Sequence, residues 1–169
     1  MVWDVEKLAQ VRSMTGHSAR VASLSPNGRL LSSGGRDSVV LHHDVRAAEH
    51  RVGCLKGHAQ EVCGLKWSPS GQQLASGGND NQLFVWNAHS SSPALRCGEH
   101  TAAVKAIAWS PHQQGLLASG GGTADRCIRF WNTVTNIVYV YVGLKSLLLC
   151  RQKRLPTRFY MIACFILLT

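Results

Sequence analysis

Apolar positions fall into short β-rich runs bounded by Gly, Pro, Ser and Asn, a pattern that predicts strands separated by tight turns. In the middle of the chain, residues 61–67, 73–76, 82–86 and 94–97 read as four strands in succession. Pro69-Ser70-Gly71 and Asp80-Asn81 supply the turn chemistry between them, because these residues fix or tolerate the dihedral angles a reversal needs. Within the runs apolar and polar residues barely alternate. A sheet with one wet face would alternate, so both faces of these sheets are expected to be covered.

The four-strand pattern occurs three times. The first unit (near 16–44) runs Gly16-His17, then Leu24-Ser25-Pro26, then LLSSGGRD, then His43-Asp44. The second (near 57–87) runs Gly57-His58, CGLKWSPSG, LASGGND and Val85-Trp86-Asn87. The third (near 99–132) runs Glu99-His100, AIAWSPH, LASGGGTAD and Phe130-Trp131-Asn132. The histidine recurs after 41 and then 42 residues, and Val2-Trp3-Asp4 reads as the close of an earlier unit. A period of 40–45 residues with Gly-His near one end and Trp-Asp near the other marks β-propeller blades. The fold class expected is all-β, a partial propeller of about three four-stranded blades over 1–136, followed by a divergent apolar and basic tail over 137–169.

Ser, His and Asp in each unit invite comparison with a hydrolase triad. The second unit has His58, Ser76, Asp80 and Trp86; the third has His100, Ser119, Asp125 and Trp131; the first has His17, Ser33, Asp37 and His43. The aspartate precedes the closing aromatic by six residues each time. Catalysis needs such a set once, whereas a structural network is needed once per blade. A chain from Asp through His and Ser to the indole N–H would satisfy four buried polar groups together. No GxSxG elbow accompanies these residues.

Charge and cysteine content narrow the partners. The net charge is +9, but residues 1–132 hold 13 basic and 9 acidic side chains, while 133–169 hold Lys145, Arg151, Lys153, Arg154 and Arg158 with no acid. The basic excess belongs largely to the tail and lies among apolar runs, so nucleic acid is not an expected partner. Six cysteines occur without a C-x-x-C pair, and Met1–Gln10 lacks the apolar core of a signal peptide. Free thiols in a reducing compartment are expected, with Cys63 and Cys127 as small core residues. No metal or other cofactor is expected: adjacent His42 and His43 point to opposite faces of a strand, and His89, Cys97 and His100 fit no zinc spacing. GGGTAD lacks the Gly-Lys-Ser/Thr of a phosphate-binding loop; it reads as a blade turn lengthened by two residues.

Particular strings go beyond the generic WD40 repeat. HSARVASL, LHHDVRAAEHRV, GHAQEVCGLKWSPSG, LASGGNDNQLFVWN, EHTAAVKAIAWSPH and LLASGGGTADRCIRFWNT together resemble the Fizzy family. These are the cell-division-cycle-20 and Fizzy-related (Cdh-type) activators of the anaphase-promoting complex. The resemblance covers about residues 2–136. It implies interior blades of a seven-bladed propeller, and a substrate-recognition subunit that is not an enzyme. Its implied partners are anaphase-promoting complex subunits and degron-bearing cell-cycle proteins, with no small-molecule substrate, in the nucleus and cytoplasm. By motif position Asn79, Asn81 and Thr123 correspond to residues that hold the Lys-Glu-Asn (KEN) degron. Turn amides and a hydroxyl suit such a polar peptide. The competing reading of Asn79 and Asn81 is that they only stabilise their turn, and the competing function is a general protein-interaction scaffold. The family's C-box arm, its closing Ile-Arg tail and the destruction-box groove between first and last blades fall outside the resemblance.

After about Asn136 the repeat pattern stops. Residues 134–150 and 159–169 are apolar but short or interrupted for a membrane span, and a membrane partner is not expected. Residues 137–141 have the β propensity to supply the outer strand of the third blade. An open arc of blades leaves end faces wet, so marginal folding is expected.

Overall fold

The computed structural model describes residues 1–135 and the backbone of 137–142. Strands β1 (Val2–Asp4) and β2 (Ala9–Arg12) form a two-stranded sheet, and three four-stranded antiparallel meanders follow. The first blade contains β3 (Val21–Asn27), β4 (Leu30–Gly35), β5 (Val39–Asp44) and β6 (Arg51–Lys56). The second contains β7 (Val62–Trp67), β8 (Gln73–Gly78), β9 (Leu83–Asn87) and β10 (Pro93–Cys97). The third contains β11 (Val104–Trp109), β12 (Leu116–Gly121), β13 (Cys127–Asn132) and β14 (Ile137–Val142). The four strands expected in the middle unit lie within a residue or two of β7–β10. The expected outer strand of the third blade is β14, which pairs antiparallel with β13. The rest of the tail, 143–169, lies outside the described residues.

Register makes the blades superimposable position by position. Leu24, Leu65 and Ile107 on the inner strands face Ser33, Ser76 and Ser119. Each inner strand carries a bulge near its start, at Val21/Ser23, Val62/Gly64 and Val104/Ala106. The shared register also aligns Pro26, Trp67 and Trp109, which pair with Leu31, Leu74 and Leu117.

The core lies between blades. One cluster joins Val40 and Leu55 of the first blade to Val62, Leu65, Trp67, Leu74, Phe84 and Trp86 of the second. Another joins Ala75, Leu83, Val85 and Cys97 to Val104, Trp109, Leu117 and Trp131 of the third. Fully burying a tryptophan of this kind stabilises by about 4–6 kcal/mol as an upper estimate from its area. The glycine pairs of each repeat make this packing possible. A Cβ on Gly34 would lie 2.7 Å from Val62 Cγ1, and one on Gly77 would lie 2.8 Å from Val104 Cγ1. Polar contacts fix the same interfaces: Trp67 Nε1 donates to Ser32 Oγ (2.9 Å), and Trp109 Nε1 donates to the Lys66 carbonyl (2.9 Å).

The first blade is more open on its inner strand than the second. Val21 and Leu24 are 46 % and 60 % exposed, whereas the equivalent Val62 and Leu65 are 0 % and 8 % exposed. The far side of the third blade does not repeat this, since Ala118 and Phe130 are buried. One expectation is corrected. Cys63 and Cys127 lie in strands, β7 and β13, but are only half-buried, although Cys63 Sγ meets the Val104 carbonyl of the next blade (3.3 Å); among the described cysteines Cys97 at the end of β10 is the buried one. Burial pushes the Cys97 thiol up to about 12.

Candidate peptide-binding rim

In all three blades the histidine precedes the inner strand, the serine lies on the second strand, and the aspartate sits in the turn after it. In the second blade His58 Nδ1 lies 3.0 Å from Asp80 Oδ1, His58 Nε2 lies 2.9 Å from Ser76 Oγ, and Trp86 Nε1 donates to Ser76 Oγ at 2.8 Å. The third blade repeats the chain with 2.7 Å for His100–Asp125, His100–Ser119 and Trp131–Ser119. The two extra residues of its turn leave that reach unchanged. In the first blade His17 bonds Asp37 (2.9 Å) and Ser33 (2.8 Å), and His43 takes the tryptophan's place at 3.2 Å from Ser33 Oγ. All the residues expected to form these sets are therefore brought together.

One arrangement of protons satisfies the serine, histidine and tryptophan of the second and third blades. The serine hydroxyl donates to His Nε2 and accepts from the indole N–H, so His Nδ1–H donates to the carboxylate. The backbone N–H of Ser18, Ala59 and Thr101 also donates to the respective aspartate. Burial holds His58 and His100 below the ordinary 6.5, which keeps the rings neutral as this network requires. Burial works against ionised Asp125, but bonds from Thr101 and His100 outweigh it and bring the carboxyl down to about 2. The second glycine of each Gly-Gly pair clears space for the clasp: a Cβ on Gly78 would lie 2.5 Å from His58 Nδ1. Ser76 and Ser119 are 0 % exposed with both hydroxyl functions in use, so neither oxygen can meet a substrate.

The turns that hold the aspartates also build one rim. Asn79 N–H donates to the Glu61 carbonyl (2.9 Å), as Arg36 N–H does to Arg20 (2.9 Å) and Gly122 N–H does to Ala103 (3.0 Å). Asn79 Nδ2 donates to Glu61 Oε2 (3.2 Å). Asn81 adopts φ +63°, a left-handed conformation that Asn tolerates well, and its N–H donates to the Gly78 carbonyl (3.2 Å). Thr123 is exposed in the corresponding turn of the third blade, where its carbonyl accepts from Arg126 Nε (3.1 Å). Within the described residues the side chains of Asn81 and Thr123 make no hydrogen bond. A Cβ on Gly122 would meet Ala102 Cβ at 3.5 Å and the Ala103 carbonyl at 3.8 Å, ordinary contact distances, so the turn beside Thr123 is not tightly packed there. Two turns on adjacent blades thus present an amide, a hydroxyl and open backbone to one side of the arc.

The family model described as "WD domain, G-beta repeat" matches residues 8–44, 49–87 and 91–132. Protein FIZZY-RELATED 1 of Arabidopsis thaliana is 62 % identical over 135 residues, which is 80 % of this chain and 28 % of that protein. B-type cell cycle switch protein ccs52A of Medicago truncatula is 63 % identical over the same length, again with 28 % of it covered. This chain belongs to the WD-repeat family, in its Fizzy-related branch. The WD-repeat chain spans 28 % of these curated relatives. Anaphase-promoting complex subunit cdh1 of Dictyostelium discoideum is 49 % identical over 166 residues, covering 79 % of this chain and 22 % of that protein. Among solved structures, a chain of the mitotic checkpoint complex matches with a TM-score of 0.82 and 51 % identity, over 84 % of this chain and 44 % of that one.

Sequence reasoning missed several members of the WD-repeat clasps. Arg129 occupies the register position of Phe84, whose ring meets His58 edge-on at 4.7 Å. Its Nη1 instead donates to both Asp125 oxygens (3.1 and 2.9 Å), and its buried Nε has no hydrogen-bond partner among the described residues. His50 extends the first clasp, Nδ1 to His43 Nδ1 at 3.0 Å. Ser32 joins His42 Nδ1 (2.8 Å) to Trp67 across blades. A charge at a buried strand position was the visible sign for Arg129; for the others the repeat carries none. Among the described residues no group of three or more His, Cys, Asp or Glu is placed to hold a metal, and no helix is long and apolar enough to cross a membrane.

Proposed function

We propose that this chain supplies degron-binding blades of an anaphase-promoting complex activator, acting by recognition and not by catalysis. The observation that carries this reading is the pair of turns GGNDN and GGGTAD on neighbouring blades, in a chain 62 % identical to a Fizzy-related protein. Asn79, Asn81 and Thr123 are the residues proposed to bond the Lys-Glu-Asn motif. Their chemistry suits it: amides both donate and accept, and a hydroxyl serves either role. The partners proposed are subunits of the complex and cell-cycle proteins bearing the degron, in nucleus and cytoplasm. The use of Ser76, His58 and Asp80 in a closed structural clasp supports a non-catalytic role.

The test is affinity capture followed by a ubiquitination assay. Recovery of anaphase-promoting complex subunits and of degron-bearing proteins, with the latter lost in Asn79→Ala/Asn81→Ala, is the expected result. Recovery of other proteins with no ligase subunit would support the general scaffold instead.

A further inference from the structure

Three equivalent residue pairs line the rim: Arg20 with Arg36, Glu61 with Asn79, and Ala103 with Gly122. Each is joined through the backbone, but only the middle pair is also joined through side chains. There Glu61 Oε2 accepts from Asn79 Nδ2 (3.2 Å), while Glu61 accepts from Arg20 Nε (2.9 Å, on Oε1) and Nη2 (3.1 Å, on Oε2) of the neighbouring blade. The Glu61 side chain is 10 % exposed and Arg20 71 % exposed, so the arginine lies over the carboxylate as an outer strut.

A side-chain amide can be turned either way round. If Asn79 were flipped, its Oδ1 would face the Glu61 carboxylate and repel it. The carboxylate therefore selects the orientation in which Nδ2 is taken and Oδ1 is presented outward as an acceptor. An exposed asparagine without such a partner would sample both orientations and meet a ligand in the wrong one part of the time.

We propose that Glu61 is a positioning residue of the rim: it fixes the Asn79 amide so that Oδ1 meets an N–H donor of the bound degron. This rests on the degron reading of Asn79. It predicts that a hydrogen-bond acceptor at position 61 is what matters: Gln with its oxygen in the place of Oε2 can accept from both Asn79 Nδ2 and Arg20 Nη2, a better-bonded orientation than its flip, and Ala can accept from neither.

The experiment measures anisotropy of a labelled Lys-Glu-Asn peptide with the full chain and with Glu61→Ala, Glu61→Gln and Asn79→Ala/Asn81→Ala, alongside thermal melting of each. The expected result is about a fivefold weakening for Glu61→Ala, the scale of one hydrogen bond. Binding within about twofold of the original is expected for Glu61→Gln, whose single neutral acceptor retains most of that bond. Equal losses in Glu61→Ala and Glu61→Gln would overturn the positioning role in favour of simple charge, and no loss in Glu61→Ala would overturn it outright. If Glu61→Ala melts early, a changed Asn79 side-chain amide resonance in Glu61→Ala that Glu61→Gln restores keeps the proposal; an unchanged one rejects it. Peptide binding by the original chain that is unaffected by Asn79→Ala/Asn81→Ala, or no binding at all, rejects the degron reading itself, which separates the two failures.

Discussion

Replacing Ser76 by Ala removes one oxygen atom yet breaks two bonds, those to His58 Nε2 at 2.9 Å and from Trp86 Nε1 at 2.8 Å. Trp86 is 1 % exposed, so its N–H loses a partner where no water can reach it. Each orphaned buried group costs about 1–3 kcal/mol, offset in part because the hydroxyl no longer needs desolvating. The net expectation is a loss of about 3 kcal/mol. For a chain of this size that lowers the melting temperature by about 6–12 °C. Ser91→Ala, at an exposed position, serves as control and is expected to change stability by less than about 0.5 kcal/mol. Urea unfolding followed by tryptophan fluorescence measures both. A Ser76→Ala/Trp86→Phe double variant removes the orphaned donor as well, so it should lose about 1 kcal/mol less than the two single losses combined. A Ser76→Ala loss no larger than the control's, or strict additivity in the cycle, would refute the clasp as a cooperative buried network.

Other outcomes follow from the same geometry. His58 and His100 are held below 6.5 in the fold, so protons favour the unfolded chain and stability should fall as pH drops below 6.5; the Cys97 thiol, raised to about 12 against 9 when unfolded, should make it fall again above about pH 9, leaving a plateau between. Asp125 at about 2, against 3.8 when unfolded, adds a further decline between about pH 4 and 2, all readable from melting temperature against pH. Arg129→Phe recreates the second blade's arrangement and removes an unsatisfied Nε, so it should shift stability by no more than about 1 kcal/mol, whereas Asp125→Ala strands a buried guanidinium and should cost about 3 kcal/mol or more in urea unfolding. Gly122→Ala should leave melting nearly unchanged, because a Cβ there meets only ordinary contacts, but should weaken Lys-Glu-Asn peptide binding about fivefold if the peptide packs on that turn.

Clasp residues such as His58, Ser76, Asp80 and Trp86 were legible because the chain repeats them, and repetition separates a structural set from a reactive one. Strand positions were legible for the same reason, together with turn residues that admit few conformations. What escaped was whatever breaks or crosses the repeat. Arg129 stands where its sister blade has Phe84, and no period predicts an exception. The Ser32–Trp67 bond spans two blades, and Glu61 reaches both Arg20 and Asn79; partners 35, 41 and 18 residues apart share no local pattern. Cys63 and Cys127 stand in strands as expected, but their half-exposure was not legible, because small apolar residues look alike whether a neighbour covers them fully or in part.

The proposed role of the rim is tested most directly by calorimetric titration of a Lys-Glu-Asn peptide into the original chain and into Asn79→Ala/Asn81→Ala, with a scrambled peptide as reference. The account predicts saturable binding to the original chain, at least tenfold weaker binding to the double variant, and none of the scrambled peptide. Equal binding by both chains, or equal binding of both peptides, would contradict it.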